Sequence, residues 1–521
     1  MALIRRAAVV VPICACVLFV RFMSTEYLEN DHFTYLAFAY QTTLGDLPDA
    51  DYDDPGFPLG IALSALAMKL GGTSLLPEVM LTSSMLAIAA CLTWRAGLMA
   101  SGMPAMALFV TLLQVLVYPR LYAYPKIVMT AWGALAFFAY NRRPTRASLI
   151  GLALFTELSL LLRHDLAVYI FASALGLLLA CHGRGRAGMM RLAEYAAWCA
   201  AFSVPYLVYL LVFGFGAHLD SSVAFSTAEA RRTTHWDSLL TAGSWLTVTL
   251  VLLPLVAWAW LLERRRKSGR WDPEAPAVAA TALLLAIVNA ALLRDTTPSR
   301  LADVFGAAPV VIAWVGAQAI RWCAAVRPRM LQLLTAAVLV VLFGALTAAT
   351  LQQGTFRSRF AETRIARGWE AMRSQAERQW VDYQTWPLDE RAQGAWLGPL
   401  VRYLDRCTRD DDPVLIAGYS PQLGFLARRP FAGGHPWIMS GYFETPAEQR
   451  RMAQRLRARP PRVVVIDPRE ATDIPRHWPA IADMLEAYRP AQLLGGLEIR
   501  TAPSLPEDGV DAETGLPCFR K

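Results

Sequence analysis

Apolar residues recur along this chain in blocks that approach the length of a bilayer crossing, separated by short polar connections. A helical crossing needs about 20 mostly apolar residues. Blocks of this kind occupy 4–23, 77–97, 103–119, 124–141, 147–163, 165–182, 193–213, 240–262, 276–293, 301–320 and 330–350. They predict an α-helical polytopic membrane protein with about eleven transmembrane helices. The first block follows Arg5 and Arg6 as a signal peptide would, but Arg21 and Phe22 end it without a small-residue cleavage site, so an uncleaved span is expected.

The pattern changes near residue 351. Residues 351–395 read as a charged helical connector. From 396 to 521, short β-type runs at Pro413–Tyr419 and Arg462–Asp467 alternate with helical stretches at 446–458 and 477–488. That alternation predicts a small α/β domain. The segment Ala417-Gly418-Tyr419-Ser420-Pro421 has neither a dinucleotide fingerprint nor a phosphate loop. The expected organisation is a membrane domain over 1–350, with a first loop at 24–56, then the connector and the α/β domain.

Composition and charge agree with this reading. The chain is 55% hydrophobic and 18% charged, with a net charge of +8. The charged fraction lies below the usual quarter of a soluble chain. The basic residues sit mainly in short connections, as in Arg142-Arg143 with Arg146, and Arg264-Arg265-Arg266-Lys267 with Arg270. This argues for orientation in a bilayer rather than nucleic-acid binding: these loops are cytoplasmic by the positive-inside rule. An odd number of spans then places the C-terminal domain on the extracytoplasmic side of a bacterial inner membrane. Cys407 and Cys518, in the tail, can pair in an oxidising compartment or remain thiols. No CxxC pair or HExxH helix is present, so no metal cofactor is expected.

Candidate chemistry gathers at the outer ends of the spans. The loop after the first block holds Glu26, Glu29, Asp31, Asp46, Asp49, Asp51, Asp53 and Asp54 without a single Lys or Arg. Its apolar stretches 33–40 and 57–70 are too short to cross and predict helices lying at the interface. Keeping basic residues inside could explain the acids at 46–54; Asp31, directly before an apolar helix, fits that account less well. Arg163-His164-Asp165 interrupts two apolar blocks, either as an ion pair that satisfies a tight turn or as the floor of a polar cavity. Lys126, Arg294, Arg300 and Asp303 stand at the same level, as snorkelling side chains or as site residues. Glu157 lies within a block, with no partner evident from the sequence. His435, after Gly433-Gly434, reads as a loop histidine or as one reaching toward the membrane site.

Asn30-Asp31-His32 after the first span, then Leu44-Gly45-Asp46 and Asp53-Asp54-Pro55-Gly56-Phe57-Pro58-Leu59, resemble the GT-C class of integral-membrane glycosyltransferases. That class includes protein mannosyltransferases and the aminoarabinose transferase of lipid A. The resemblance implies a polyprenyl-phosphate sugar donor, an inverting transfer to an acceptor hydroxyl of a cell-envelope glycan, lipid or protein, and Asp31 as general base. His32, Lys126, Arg163, His164, Asp165, Arg294, Arg300 and Asp303 are then the expected substrate-binding residues. Many members carry two adjacent acids where this chain has Asn-Asp-His, which puts a metal held by paired carboxylates in doubt. Two other readings stand beside the enzyme: a lipid or glycan transporter, and a membrane scaffold whose outside domain binds glycan.

Overall fold

The computed structural model describes residues 2–24, 31–230, 245–293, 298–353, 356–387, 394–503 and 508–519. The chain forms two compact units. One comprises Met1–Glu26, Met80–Val204 and Arg232–Gln379; the other comprises Tyr27–Val79, Pro205–Arg231 and Trp380–Lys521.

The first unit is helical. Among the described residues, six helices are long and apolar enough to cross a membrane: Leu75–Ser101, His164–His182, Arg186–Phe213, Trp245–Ser268, Ala308–Ala325 and Arg329–Gln352. Shorter apolar helices include Ala8–Met23, Pro104–Val117 and Ala275–Ala290, and Tyr124–Arg142 and Arg146–Leu162 complete the set. Every expected span therefore has a helix. The tenth requires a correction: a helix was expected from 301, but the chain makes only short turns through Pro298–Leu301 and Ala302–Val304 before the helix at Ala308. The cause is a close approach. A Cβ on Gly306 would lie 1.8 Å from Thr130 Oγ1 and 2.6 Å from the Ile127 carbonyl oxygen, and Pro309 then supplies a preset first helical turn. Glu157, buried in its helix, receives a hydrogen bond from Ser203 Oγ at 2.6 Å.

The second unit contains a four-stranded sheet in the order β1-β2-β4-β3, with β1 Val414–Ala417, β2 Val463–Ile466, β3 Arg489–Leu494 and β4 Leu497–Thr501. β1 and β2 are parallel and β4 runs antiparallel to β2. All residues of β1 and β2 are buried, because alternate side chains enter two cores. Val414, Ile416, Val463 and Val465 pack with Leu397, Leu400 and Leu404 on one face. Leu415, Ala417, Val464 and Ile466 pack with Met452, Leu456, Trp478 and Ile481 on the other. The helix Pro446–Ala458 starts with a capping box between Thr445 and Glu448. The expected helix at 477–488 is shorter, Pro479–Glu486, because the chain turns into the β3–β4 hairpin.

The first loop belongs to this unit. Both of its short apolar stretches form helices, Asp31–Thr43 and Pro58–Gly71. Phe38, Tyr52 and Ile61 pack there with Phe431 of the C-terminal segment. Asp53 is deeply buried and accepts hydrogen bonds from Arg455 at 2.7 Å, and from Arg451 and Ser221 at 2.9 Å each. His435 is 1% exposed, with its Nε2 3.8 Å from the same carboxylate and its ring stacked on Phe443. It is thus a loop histidine, as one of the two readings had it, and a buried one facing a carboxylate.

Burial pushes His435 down to about 4, against the pull of Asp53 and with the help of Arg455 and Arg451. Burial alone would raise the Asp53 carboxyl, but His435, Arg455 and Arg451 outweigh it and hold the group well below the ordinary carboxylate range. At neutral pH the two guanidinium groups carry this effect, since His435 is then uncharged. Asp54 behaves oppositely: burial and the neighbouring Asp49 push it up to about 6, although the Gly56 and Phe57 N–H groups donate to it at 2.9 Å each.

Two outcomes follow for stability. Cys407 and Cys518 form a disulfide across 111 residues of sequence, so replacing both by serine is expected to destabilise the second unit by about 3–5 kcal/mol. An unchanged denaturation midpoint for that unit would refute the stabilising role. The second outcome concerns His435, which binds its proton more weakly when folded than when unfolded, so acid favours the unfolded chain. Relative to His435→Phe, the wild type should lose about 3 kcal/mol as pH falls from 6.5 to 4. The comparison with the variant removes the opposing contribution of Asp54, and a pH-independent difference would contradict the assignment.

Candidate functional site

Asp31 opens the helix Asp31–Thr43, where an acid in the first turn suits the positive end of the helix dipole. The carboxylate is half-buried, and its Oδ1 accepts a hydrogen bond from the Tyr419 hydroxyl. Tyr419 follows β1 directly, after Gly418, whose φ of +129° lets the chain turn away from the strand. Burial, reinforced by the charge of Asp31, pushes the Tyr419 phenol well above its ordinary range, so the hydroxyl stays protonated and donates. The Tyr419 ring meets Trp437 edge-on at 4.8 Å, and Trp437 Nε1 donates to Thr34 Oγ1 at 3.1 Å. Two adjacent turns of the loop helix are thus fixed to the segment beyond β1.

The next residue points elsewhere. His32 Nε2 lies 3.1 Å from Glu78 Oε1, and both side chains are almost fully enclosed. Glu78 is a loop-proximal acid that sequence reading did not single out. The only available signal was its place near the start of an apolar block, where an ionisable group is costly unless paired. Asn30 lies outside the described residues.

The first unit carries the cationic candidates. Lys126 sits in the first turn of Tyr124–Arg142, after Pro125, and pairs with Asp303. Each of these two side chains is 13% exposed, so Lys126 is held by a carboxylate rather than extended to solvent. The Gly306 contact with the Lys126 helix brings the Asp303 turn close enough for this pair. Arg163 and Asp165 form a two-pronged ion pair, at 2.6 Å through Nε and 2.9 Å through Nη2, across the break between two helices. The tight-turn pair is therefore present. Lys126 also lies within electrostatic range of Arg163 and Arg300, and Asp165 within range of Lys126. Lys126, Arg163, Asp165, Arg300 and Asp303 thus form one cluster with three cations and two carboxylates.

His164 begins the helix that contains Asp165, and Arg294 lies outside the described residues. Among the described residues, no group of three or more His, Cys, Asp or Glu side chains is placed to hold a metal ion.

Such parts suit distinct tasks. A carboxylate with one oxygen engaged by Tyr419 has its other oxygen available as a proton acceptor. A group of lysine and arginine side chains near the end of apolar helices suits a phosphate on a lipid.

No protein-family model and no curated protein matches the chain in sequence. Among solved structures, it is similar to ArnT from Cupriavidus metallidurans bound to undecaprenyl phosphate. The TM-score is 0.53 at 12% identity, and the match covers 96% of this chain and 98% of that one. Since the similarity runs through both units with little identity, it speaks for the backbone arrangement. The chain is a multi-pass helical membrane protein with an ArnT-like fold and a small C-terminal sheet.

Proposed function

We propose that the protein transfers a sugar from a polyprenyl-phosphate donor to an acceptor hydroxyl on the extracytoplasmic face, with inversion. The observation that carries this reading is the likeness along nearly the whole chain to a protein solved with undecaprenyl phosphate. In this scheme Asp31 takes the acceptor proton as its oxygen attacks the anomeric carbon. The bond from that carbon to the phosphate oxygen breaks, and polyprenyl phosphate leaves with the bonding electron pair. Tyr419 orients the base through Oδ1, leaving Oδ2 for the acceptor. Lys126, Arg163 and Arg300 are assigned to the donor phosphate, where cations stabilise the charge that develops on the leaving group. His164, Asp165, Arg294 and Asp303 are assigned to the surroundings of that phosphate, and His32 to support of the Asp31 turn.

The extracytoplasmic placement is supported by the Cys407–Cys518 disulfide, a bond characteristic of oxidising compartments, and by the basic clusters of the opposite connections. The acceptor is a cell-envelope glycan, lipid or protein.

Consumption of a lipid-linked sugar by the purified protein tests the scheme. Asp31→Asn is expected to lower kcat by about 10²–10⁴-fold, the usual worth of a general base. Tyr419→Phe keeps the ring and loses only the orienting bond, so a smaller fall of about tenfold is expected. Lys126→Ala and Arg300→Ala should raise the KM for the donor. A folded Asp31→Asn protein with full activity removes Asp31 from the mechanism.

A further inference from the structure

The second unit contains a cavity of about 890 Å³ beyond the C-terminal ends of β1 and β2. Where parallel strands end side by side, the departing loops leave a crevice that commonly holds a ligand, and this volume lies in the range of small-molecule sites. Gly418 brings the two loops together, since a Cβ there would stand 2.6 Å from Asp467 Cβ. The opposite wall is the β3–β4 turn. Gly495 packs so closely on Trp396 that a Cβ would meet its carbonyl oxygen at 1.9 Å, whereas a Cβ on Gly496 would meet nothing within 4 Å.

The polar lining points to a particular chemistry. Gln422 is 2% exposed and lines the cavity, yet its Oε1 has no hydrogen-bond donor among the described residues. A buried acceptor left in this state costs about 1–3 kcal/mol, which turning the enclosed amide toward a ligand O–H or N–H in the cavity would relieve. Asp467 and Glu470 add carboxylates, and the Arg469 guanidinium is engaged by Asp467 at 2.7 Å. The lining is therefore net negative and lacks a phosphate loop, which disfavours an anionic ligand. Trp396 lines the cavity as well.

We propose that this cavity binds the saccharide portion of the acceptor, as an uncharged or amine-bearing sugar. Tyr419 lines the cavity and also donates to Asp31, so one side chain links a sugar seated there to the group assigned as base. The acceptor role rests on that reading of Asp31; the binding of saccharide does not.

Binding to the full-length protein in nanodiscs, measured with cellotetraose, chitotetraose and its deacetylated form, separates the two. ADP and inorganic pyrophosphate serve as anionic probes. At least one saccharide is expected to bind and neither anion to compete. Gln422→Leu and Trp396→Ala should each weaken that saccharide about tenfold, while Asp31→Asn, which still accepts from Tyr419, retains it. Met439→Trp, at the half-buried rim of the cavity, should block binding without removing a core contact. The proposal is overturned if none of the saccharides binds, if binding survives all three cavity variants, or if an anion binds more tightly. Saccharide binding that persists beside a fully active Asp31→Asn protein would refute the base and leave the cavity standing.

Discussion

The buried carboxylate of Asp53 is the constraint on which the second unit depends. It lies in the first loop, whereas Arg451 and Arg455 lie about 400 residues later along one face of the helix Pro446–Ala458. A charge so enclosed is tolerated only when paired, and breaking a buried pair typically costs about 3–5 kcal/mol. Ser221 and the Ala50 carbonyl complete the arrangement, the latter accepting from Arg455. Nearby, His218 Nδ1 lies 2.9 Å from Asp49 Oδ1, and the Tyr209 hydroxyl donates to the Pro48 carbonyl at 2.6 Å. Together these bonds hold an acidic loop, rich in groups that would otherwise repel one another, against a basic helix. The abundance of acids in the loop thus has a structural meaning at 49–54 that charge asymmetry across a membrane does not supply.

Fixing the loop in this way also fixes Asp31. Phe38, Tyr52 and Phe431 form an apolar contact between the two anchor points, and the Tyr40 hydroxyl donates to the Arg428 carbonyl at 2.9 Å. The helix carrying Asp31 therefore meets the chain beyond β1 at several places along its length. Tyr419 then engages the carboxylate at the helix start. A carboxylate on an otherwise mobile type of element, a loop, gains the precision of a packed sheet. The same turn borders the cavity at the strand ends, so one tyrosine serves both features.

The first unit uses a different device. Its cationic cluster depends on Gly306, whose missing side chain lets the Asp303 turn approach the Lys126 helix. The Arg163–Asp165 pair spans the break between two helices without needing any long connection. Charges near apolar helices are costly when single, and both motifs satisfy them locally.

Much of this was legible in the chain alone. Block length and the placement of basic residues determined the helical membrane architecture, because a bilayer accepts only long apolar segments with satisfied backbones. The switch to short apolar runs after residue 396 determined an α/β unit, and the loop sequence singled out Asp31. The hairpin of β3 and β4 was less visible, since only Gly495-Gly496 marks it and Pro490 interrupts the strand pattern. Folding alone decided the partners: Tyr419 for Asp31, Glu78 for His32, Ser203 for Glu157, and Arg451 with Arg455 for Asp53. Local periodicity reports which face of an element is buried, but it carries no record of which distant residue meets it. That information appears only when segments hundreds of residues apart pack together and each buried charge must find its counter-charge.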